Sequence, residues 1–444
     1  MQKYGGKMRI GLVGDNSKEY INKLLEIWNG NNCAVLIDWR MPEEKIFQLL
    51  EYSNVKKCIV DKKIYDKWEN KESELFEIYN SESQKKVVID KETKAKFKVN
   101  YSNDEAVILF SSGTTGNAKG IILTFAAINK NADMIIDTMK PKKDDTIYIF
   151  KILVHSSTLI SEFLVGLKSD MQMIVSSVNI SIRNLVKELI ANKVTIMGIN
   201  PTILYLIVEY LKGKDITIDS MKKMYVCGAM LNPNVQMEMS KYIPNGKVLN
   251  LYGLTEAGPM IASQSEDACN RGSVGKTLLN VNVKIDRDKG EKYGKVMVKT
   301  SSIASGYINK ELNIVDGWLD TKDLGFIDED NELHIIGRSD DLIIKNACNV
   351  YPYTIEKCIL ENSSVDECVA FGINDTLHGE KIVCIYSGEC EEKELRNICK
   401  KKLLSHETPD IFKYREKLER NKNGKVDVIA NKNWFIKGEK SNES

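Results

Sequence analysis

The chain has 444 residues with 63 basic and 62 acidic side chains, a formal charge of +1, 43% hydrophobic and 28% charged residues. That length predicts two to four structural units with ample core, and the even charge excludes the basic footprint of a nucleic-acid partner. No run approaches the ~18 apolar residues that span a bilayer and the start does not read as a secretory leader, so no membrane partner and a reducing cytoplasm are expected.

Arg9–Val13 is a short apolar run, followed by Gly14-Asp-Asn-Ser17 as turn and helix cap. Tyr20-Ile21, Leu24-Leu25 and Ile27-Trp28 then recur at helical spacing. Cys33–Ile37 is a second buried run, residues 46–50 a second helix and residues 57–60 a third strand. Gly11 and Gly14 lack the rest of a dinucleotide fingerprint, so strand, turn and helix are expected there. Residues 66–100 are dominated by charged and polar side chains and predict an exposed helix with connections. From Ala106 to about Ile285 strand and helix signals alternate again. Beyond Val281 short strands and Gly/Asp turns take over, and a mixed segment of about a hundred residues follows Gly337-Arg-Ser-Asp-Asp341. The fold class predicted is α/β: a large N-terminal domain of parallel-sheet α/β subdomains plus a small β region, then a small α+β domain. Of ten cysteines, six lie after residue 347 without CxxC spacing, and the four histidines are scattered, which predicts free thiols and no metal ligand set among them.

Val107 to Thr124 carries the most chemistry. An apolar strand ends in four hydroxyls (Ser111, Ser112, Thr114, Thr115), three glycines (Gly113, Gly116, Gly120) and Lys119, and a second apolar strand follows. Glycines let backbone N–H groups turn toward an anion, hydroxyls add neutral donors, and a lysine adds a mobile charge, as a polyphosphate requires. It is not a P-loop, because Gly-Lys-[Ser/Thr] is missing. This segment resembles the phosphate loop of the adenylate-forming enzymes: acyl-CoA synthetases, nonribosomal peptide synthetase adenylation domains and luciferases.

Further matches follow in that family's order. Asn250-Leu-Tyr-Gly-Leu-Thr-Glu256 resembles its aromatic-Gly-x-Thr-Glu motif. The resemblance implies that Tyr252 stacks on adenine, Asn250 faces its edge, Thr255 reaches the α-phosphate and Glu256 helps hold Mg²⁺. A flat π-face suits a purine, and Mg²⁺ takes a carboxylate beside phosphate oxygens; alone, the pentapeptide would read as a turn. Gly228-Ala229 resembles the other wall of the adenine site. Asp316-Gly-Trp-Leu-Asp-Thr-Lys-Asp323 and Gly337-Arg338 resemble the ribose motifs, with Asp323 as acceptor for two vicinal hydroxyls and Arg338 assisting. Lys322 stands where relatives usually have glycine. Asn421-Lys-Asn-Gly-Lys425 resembles the catalytic-lysine turn, in which Lys425 bridges the attacking carboxylate and the phosphate; Glu419 replaces the usual upstream proline. His155 and Gly253 fall where the family borders its acyl pocket, and a histidine in place of aspartate leans toward an aryl or fatty acid. For His155 alone, a satisfied core histidine is an equal reading. Ser305-Gly-Tyr307 resembles a linking segment of the acyl-CoA synthetase branch.

The resemblance implies a large adenylation domain over 1–339, shortened at its N-terminus, and a small mobile domain over 340–444 with a hinge at Asp340. It implies a two-step ligase: ATP and Mg²⁺, a small carboxylic acid activated as its adenylate with release of pyrophosphate, then thioester formation on the phosphopantetheine of CoA. Ala347, where relatives have glycine beside the pantetheine path, motivates an alternative in which an acyl or peptidyl carrier protein is the acceptor. A non-catalytic nucleotide-binding relative is a second alternative, against which Lys425, Glu256 and Asp323 speak. A dinucleotide-dependent oxidoreductase rests only on Gly11 and Gly14.

Overall fold

The structure is a computed structural model that describes residues 7–69, 75–81, 86–111, 119–229, 231–269, 272–346, 348–375, 377, 379–420 and 426–442. The chain divides into two compact units, residues 1–283 with 298–319, and residues 284–297 with 320–444.

The first unit is built on two sheets. Arg9–Val13 pairs in parallel with Cys33–Ile37 on one side and Lys57–Asp61 on the other. All three runs are almost wholly buried, as strands covered on both faces must be. The helix Lys18–Asn29 between the first two starts at Ser17, whose hydroxyl accepts from the Tyr20 N–H at 3.0 Å. A cap of this kind stabilises a helix by about 1 kcal/mol. The helix buries the residues anticipated from its spacing, Tyr20, Ile21, Leu24, Leu25, Ile27 and Trp28. Gly14 is a packing glycine: a Cβ there would meet Tyr79 Oη at 2.0 Å. The sheet has seven strands and includes the hairpin Glu105–Ser111 and Lys119–Thr124, with Gly306–Tyr307 added at its edge.

The second sheet has eight strands, among them Lys223–Val226, Ile196–Ile199 and Lys247–Gly253 in parallel register. Its core packs Tyr148, Leu189, Met197, Leu204, Met224 and their neighbours.

The polar stretch 66–100 is more ordered than its composition suggests. Phe76–Tyr79 extends the first sheet and Lys86–Val88 extends the second, beside the short helix Lys91–Ala95. Isolated apolar residues do this work. Trp68 and Phe76 lie 5.4 Å apart and each packs on Phe47, at 5.4 and 5.5 Å. Aromatic side chains supply large buried area per residue, so few are needed.

Trp318–Ile327 and Leu333–Arg338 pair antiparallel, within a five-stranded sheet that also holds Asn282–Asp286 and Gly294–Lys299 and belongs mostly to the second unit. A second five-stranded sheet centres on the long pair Val365–Asp375 and Gly379–Gly388. The helices Pro352–Asn362 and Glu392–Lys402 cover it, burying Ile355, Ile359, Leu395 and Cys399. All ten cysteines are free thiols. Among the described residues, no helix is long and apolar enough to cross a membrane.

Candidate active site

The two strands of the phosphate-loop hairpin are antiparallel with Ser111 opposite Lys119. Ser112, Gly113, Thr114, Thr115 and Gly116 lie outside the described residues. The base of the loop is therefore placed through Ser111 and Lys119. Lys119 Nζ stands 5.8 Å from the ring centroid of Tyr307, whose strand pairs with the one that Lys119 begins. Tyr307 Oη donates to Glu256 Oε1 at 2.9 Å. Thus the loop base, Tyr307 and the carboxylate of the Thr-Glu motif meet in one place.

That motif follows the strand Lys247–Gly253. Two glycines allow the chain to double back. A Cβ on Gly253 would meet Pro259 O at 2.0 Å, and one on Gly258, at φ +96°, would meet Ser302 O at 2.3 Å. Thr255–Ala257 forms a 3₁₀ turn between them. Buried side chains hold this turn: Ser302 Oγ donates to Ala257 O at 2.8 Å, and Asn131 Nδ2 donates to Met260 O at 3.0 Å. Thr255 Oγ1 lies 2.8 Å from Ser156 Oγ.

Tyr252 is half-buried, and Val226 is in register with Asn250, so the parallel strands beneath Gly228-Ala229 and Tyr252 end side by side. Carboxyl ends of parallel strands are where open α/β sheets bind ligands. Gly228 adopts φ +97°, which turns the chain at the end of its strand. Asn250 is buried; its Nδ2 donates to Ser273 O at 3.0 Å and its backbone N–H to Gln264 Oε1 at 2.9 Å. Its amide donor is thus engaged within the protein, which fixes the strand under Tyr252.

His155 precedes a continuous helical run made of Ser156–Thr158, a π-helical segment Leu159–Leu164, and Val165–Lys168. Behind this run lies a cavity of about 30 Å³, bordered by Lys151, Ser157, Ser161, Glu162, Gly198 and Met260 among others. Lys151 Nζ is 2.5 Å from Glu162 Oε1. Burial pushes the Glu162 carboxyl above the ordinary carboxylate range, with Lys151 pulling against it.

In the second unit Asp323 and Arg338 are register partners on adjacent strands, with Arg338 Nη1 donating to Asp323 Oδ1 at 3.3 Å. Lys322 keeps a left-handed backbone, φ +65°, that glycine adopts more easily. Asp320 compensates, accepting from the Lys322 N–H at 2.9 Å and from its Nζ at 2.6 Å. Lys425 lies outside the described residues, but Arg420 and Val426 pair across residues 421–425. Glu419 is held by Asn431, which accepts from the Glu419 N–H and donates to its carbonyl. Asp340 is exposed, within the 3₁₀ turn Ser339–Asp341.

Four residues here escaped assignment from sequence: Tyr307, noted only as part of a linking segment, Ser156, Lys151 and Glu162. The last two had a signal, a single charge inside a mostly apolar stretch at Tyr148–Val154 and at Leu159–Leu164.

The family model described as AMP-binding enzyme matches residues 2–308, and that of the AMP-binding enzyme C-terminal domain matches residues 354–425. A 2-succinylbenzoate–CoA ligase of Bacillus cereus is 27% identical over 435 residues, covering 94% of this chain and 86% of that one. A long-chain-fatty-acid–CoA ligase of Bacillus subtilis is 26% identical over 348 residues, 74% of this chain and 61% of its own. Among solved structures, ATP-bound MatB from Rhodopseudomonas palustris superposes with TM-score 0.84 at 21% identity, covering 98% of this chain and 89% of that one. The o-succinylbenzoate CoA synthetase MenE of Bacillus subtilis, in complex with its acyl-adenylate OSB-AMP, gives 0.78 at 22%, covering 95% and 87%. These structural matches share the α/β fold with its larger and smaller parts.

Proposed function

The chain belongs to the AMP-binding enzyme family, and we infer from that membership that it is an AMP-forming acid–thiol ligase. A small carboxylic acid and ATP give an acyl-adenylate and pyrophosphate; a thiol then takes the acyl group and AMP leaves. The observation that carries this reading is the meeting of Lys119, Tyr307 and Glu256, with Thr255 next to Glu256 in the same turn.

In the first half-reaction the acid's carboxylate attacks the α-phosphorus in line. Little covalent help is needed, so the side chains position and neutralise. Lys119 and the loop from Ser111 to Gly120 receive the phosphates, Thr255 donates to the α-phosphate, and Tyr252 lies against the adenine with Gly228 and Ala229 on its other side. Asn250 fixes the strand that presents Tyr252. Asp323, oriented by Arg338, accepts from the ribose hydroxyls. Glu256 suits Mg²⁺: Tyr307 engages one oxygen of a carboxylate that has several acceptor sites. When bound, that ion supplies neutralising charge at the phosphates. Lys425 serves this step by meeting the charge that develops as the bond to phosphorus forms.

We take CoA as the acceptor and the cytoplasm as the compartment. His155 and Gly253 border the acid, and Asp340 is the pivot at which the segment 340–444 changes its position between half-reactions. A carrier protein presents the same phosphopantetheine thiol. Pyrophosphate release over a panel of acids, followed by thioester formation with CoA or with a pantetheinylated carrier, tests the reading. It requires at least one acid to drive release and CoA to accept the acyl group. Acyl transfer to the carrier alone would replace CoA, and no release with any acid would remove the ligase assignment.

A further inference from the structure

The cavity behind the helical run 156–168 is built for something polar. Its walls are largely apolar, including Met139, Ile147, Val165 and Met260, yet one side holds Lys151 and Glu162. Glu162 is 5% exposed, and its Oε2 has no hydrogen-bond partner among the described residues. Ser161 Oγ, one residue away, is also buried without a partner among them. The great majority of buried polar atoms are paired, so two orphans on one cavity point to a missing partner.

The surroundings accommodate the carboxylate specifically. On the strand Ile196–Ile199, a Cβ at Gly198 would come within 2.6 Å of Glu162 Oε1. Ser161 and Glu162 lie in the π-helical segment, a geometry that recurs at functional sites. Lys151 is anchored through its backbone, its carbonyl accepting from Asn16 Nδ2 at 2.9 Å. Apolar residues of the same volume often replace a buried ion pair without loss of stability, so its presence on this cavity directs attention to a ligand.

The pair selects the chemistry of its ligand. An ammonium has three N–H groups, of which Glu162 Oε1 engages one, and Oε2 remains as an acceptor. Lys151 and Glu162 together carry no net charge, so a bare cation or anion brought here would remain uncompensated in a buried site. A neutral group that donates and accepts satisfies both. Ser156, which touches Thr255, and Glu162 are six residues apart on the helical run, roughly 9 Å along its axis. Set beyond Ser156 on the same run, the cavity would receive the end of the acid remote from its carboxylate, and its ~30 Å³ holds one small group.

We propose that Lys151 and Glu162 determine substrate choice, and that the acid activated here carries a neutral donor–acceptor group, a hydroxyl or primary carboxamide, at its distal end. This rests on the acid-activating reading above.

The test compares kcat/KM for acid-dependent pyrophosphate release across straight-chain acids of matched length ending in methyl, hydroxyl, carboxamide, ammonium or carboxylate. The wild type should favour the hydroxyl or carboxamide arm over methyl and over both charged arms on the order of 100-fold. The charge-neutral double variant Lys151→Met/Glu162→Leu should remain active and reverse that order in favour of methyl. Preference of the wild type for a methyl, ammonium or carboxylate terminus, or an unchanged order in the double variant, overturns the proposal. Should the double variant not fold, Glu162→Gln must lower the hydroxyl-to-methyl ratio, and an unaltered ratio overturns it equally. If no acid releases pyrophosphate, the ligase reading fails on its own, and thermal-shift titration decides the pocket. Stabilisation by the hydroxy acid above its methyl analogue then supports the proposal, and equal shifts overturn it.

Discussion

Tyr307 Oη donates to Glu256 Oε1 at 2.9 Å, and Tyr307 stands on a two-residue strand paired with the strand that Lys119 begins. Three segments that are far apart in sequence are joined by this contact: the phosphate-loop base, the Thr-Glu turn and the Gly-Tyr bridge. Ala304 reinforces it, its N–H donating to Glu256 O at 2.9 Å.

Removing the Tyr307 hydroxyl should loosen Glu256. Hydrogen bonds to charged groups contribute about 1.5–3 kcal/mol, so Tyr307→Phe should weaken adenylation roughly tenfold or more. The loss should appear as a higher Mg²⁺ requirement, with the KM for the acid little changed. A Mg²⁺ titration of pyrophosphate exchange checks this; an identical titration curve would separate Tyr307 from the metal.

Thr255 and Ser156 share one hydrogen bond at 2.8 Å, yet only Thr255 is assigned to the phosphate. Thr255→Val should lower kcat by about one to two orders of magnitude, in line with the loss of a transition-state donor. Thr255→Ser should restore most of it, and Ser156→Ala should cost much less. Parallel kcat and KM measurements on the three variants decide the matter, and equal loss in Ser156→Ala and Thr255→Val would refute the division of roles.

The second unit carries a pH-dependent strain. Burial pushes Glu356 up from 4.5 to about 7, although the Ala370 N–H donates to its Oε1 at 2.8 Å and opposes the shift. The folded state therefore keeps a proton that the unfolded chain releases. Stability is full below the unfolded value and falls as pH rises to about 7, by on the order of 1–3 kcal/mol. Glu356→Gln should flatten that dependence and exceed the wild type above neutrality. Hydrogen exchange of the strand Val365–Asp375 at acid and alkaline pH reads it; a variant no more protected at alkaline pH would contradict the sign.

Two substitutions in the C-terminal segment should act on different half-reactions. Lys425→Ala should abolish adenylation and largely keep thioester formation from a synthetic acyl-adenylate. Asp340→Pro, which restricts φ at the proposed pivot, should spare adenylation and slow thioester formation. Equal loss of both half-reactions in both variants would remove the pivot.

Local signals carried the parallel sheet well. The runs at Arg9, Cys33 and Lys57 are continuous apolar stretches, which only strands buried on both faces need. The strands at Phe76 and Lys86 were hidden because each is short and surrounded by charge, and their pairing is with residues distant in sequence. Among candidate site residues, motif order alone points to Thr255, Glu256 and Asp323. Tyr307 and Ser156 acquire their meaning from contacts 51 and 99 residues away, which no local pattern encodes. Lys322 is a converse case: it adopts a left-handed backbone that glycine takes more easily, and Asp320 accepts from its N–H.

The most direct measurement is exchange of labelled pyrophosphate into ATP by the full chain, with and without acid, in the absence of CoA. Exchange should depend on both the acid and Mg²⁺ and need no thiol. Exchange that appears only when CoA is added, or that proceeds equally without any acid, would contradict an acyl-adenylate formed by this site.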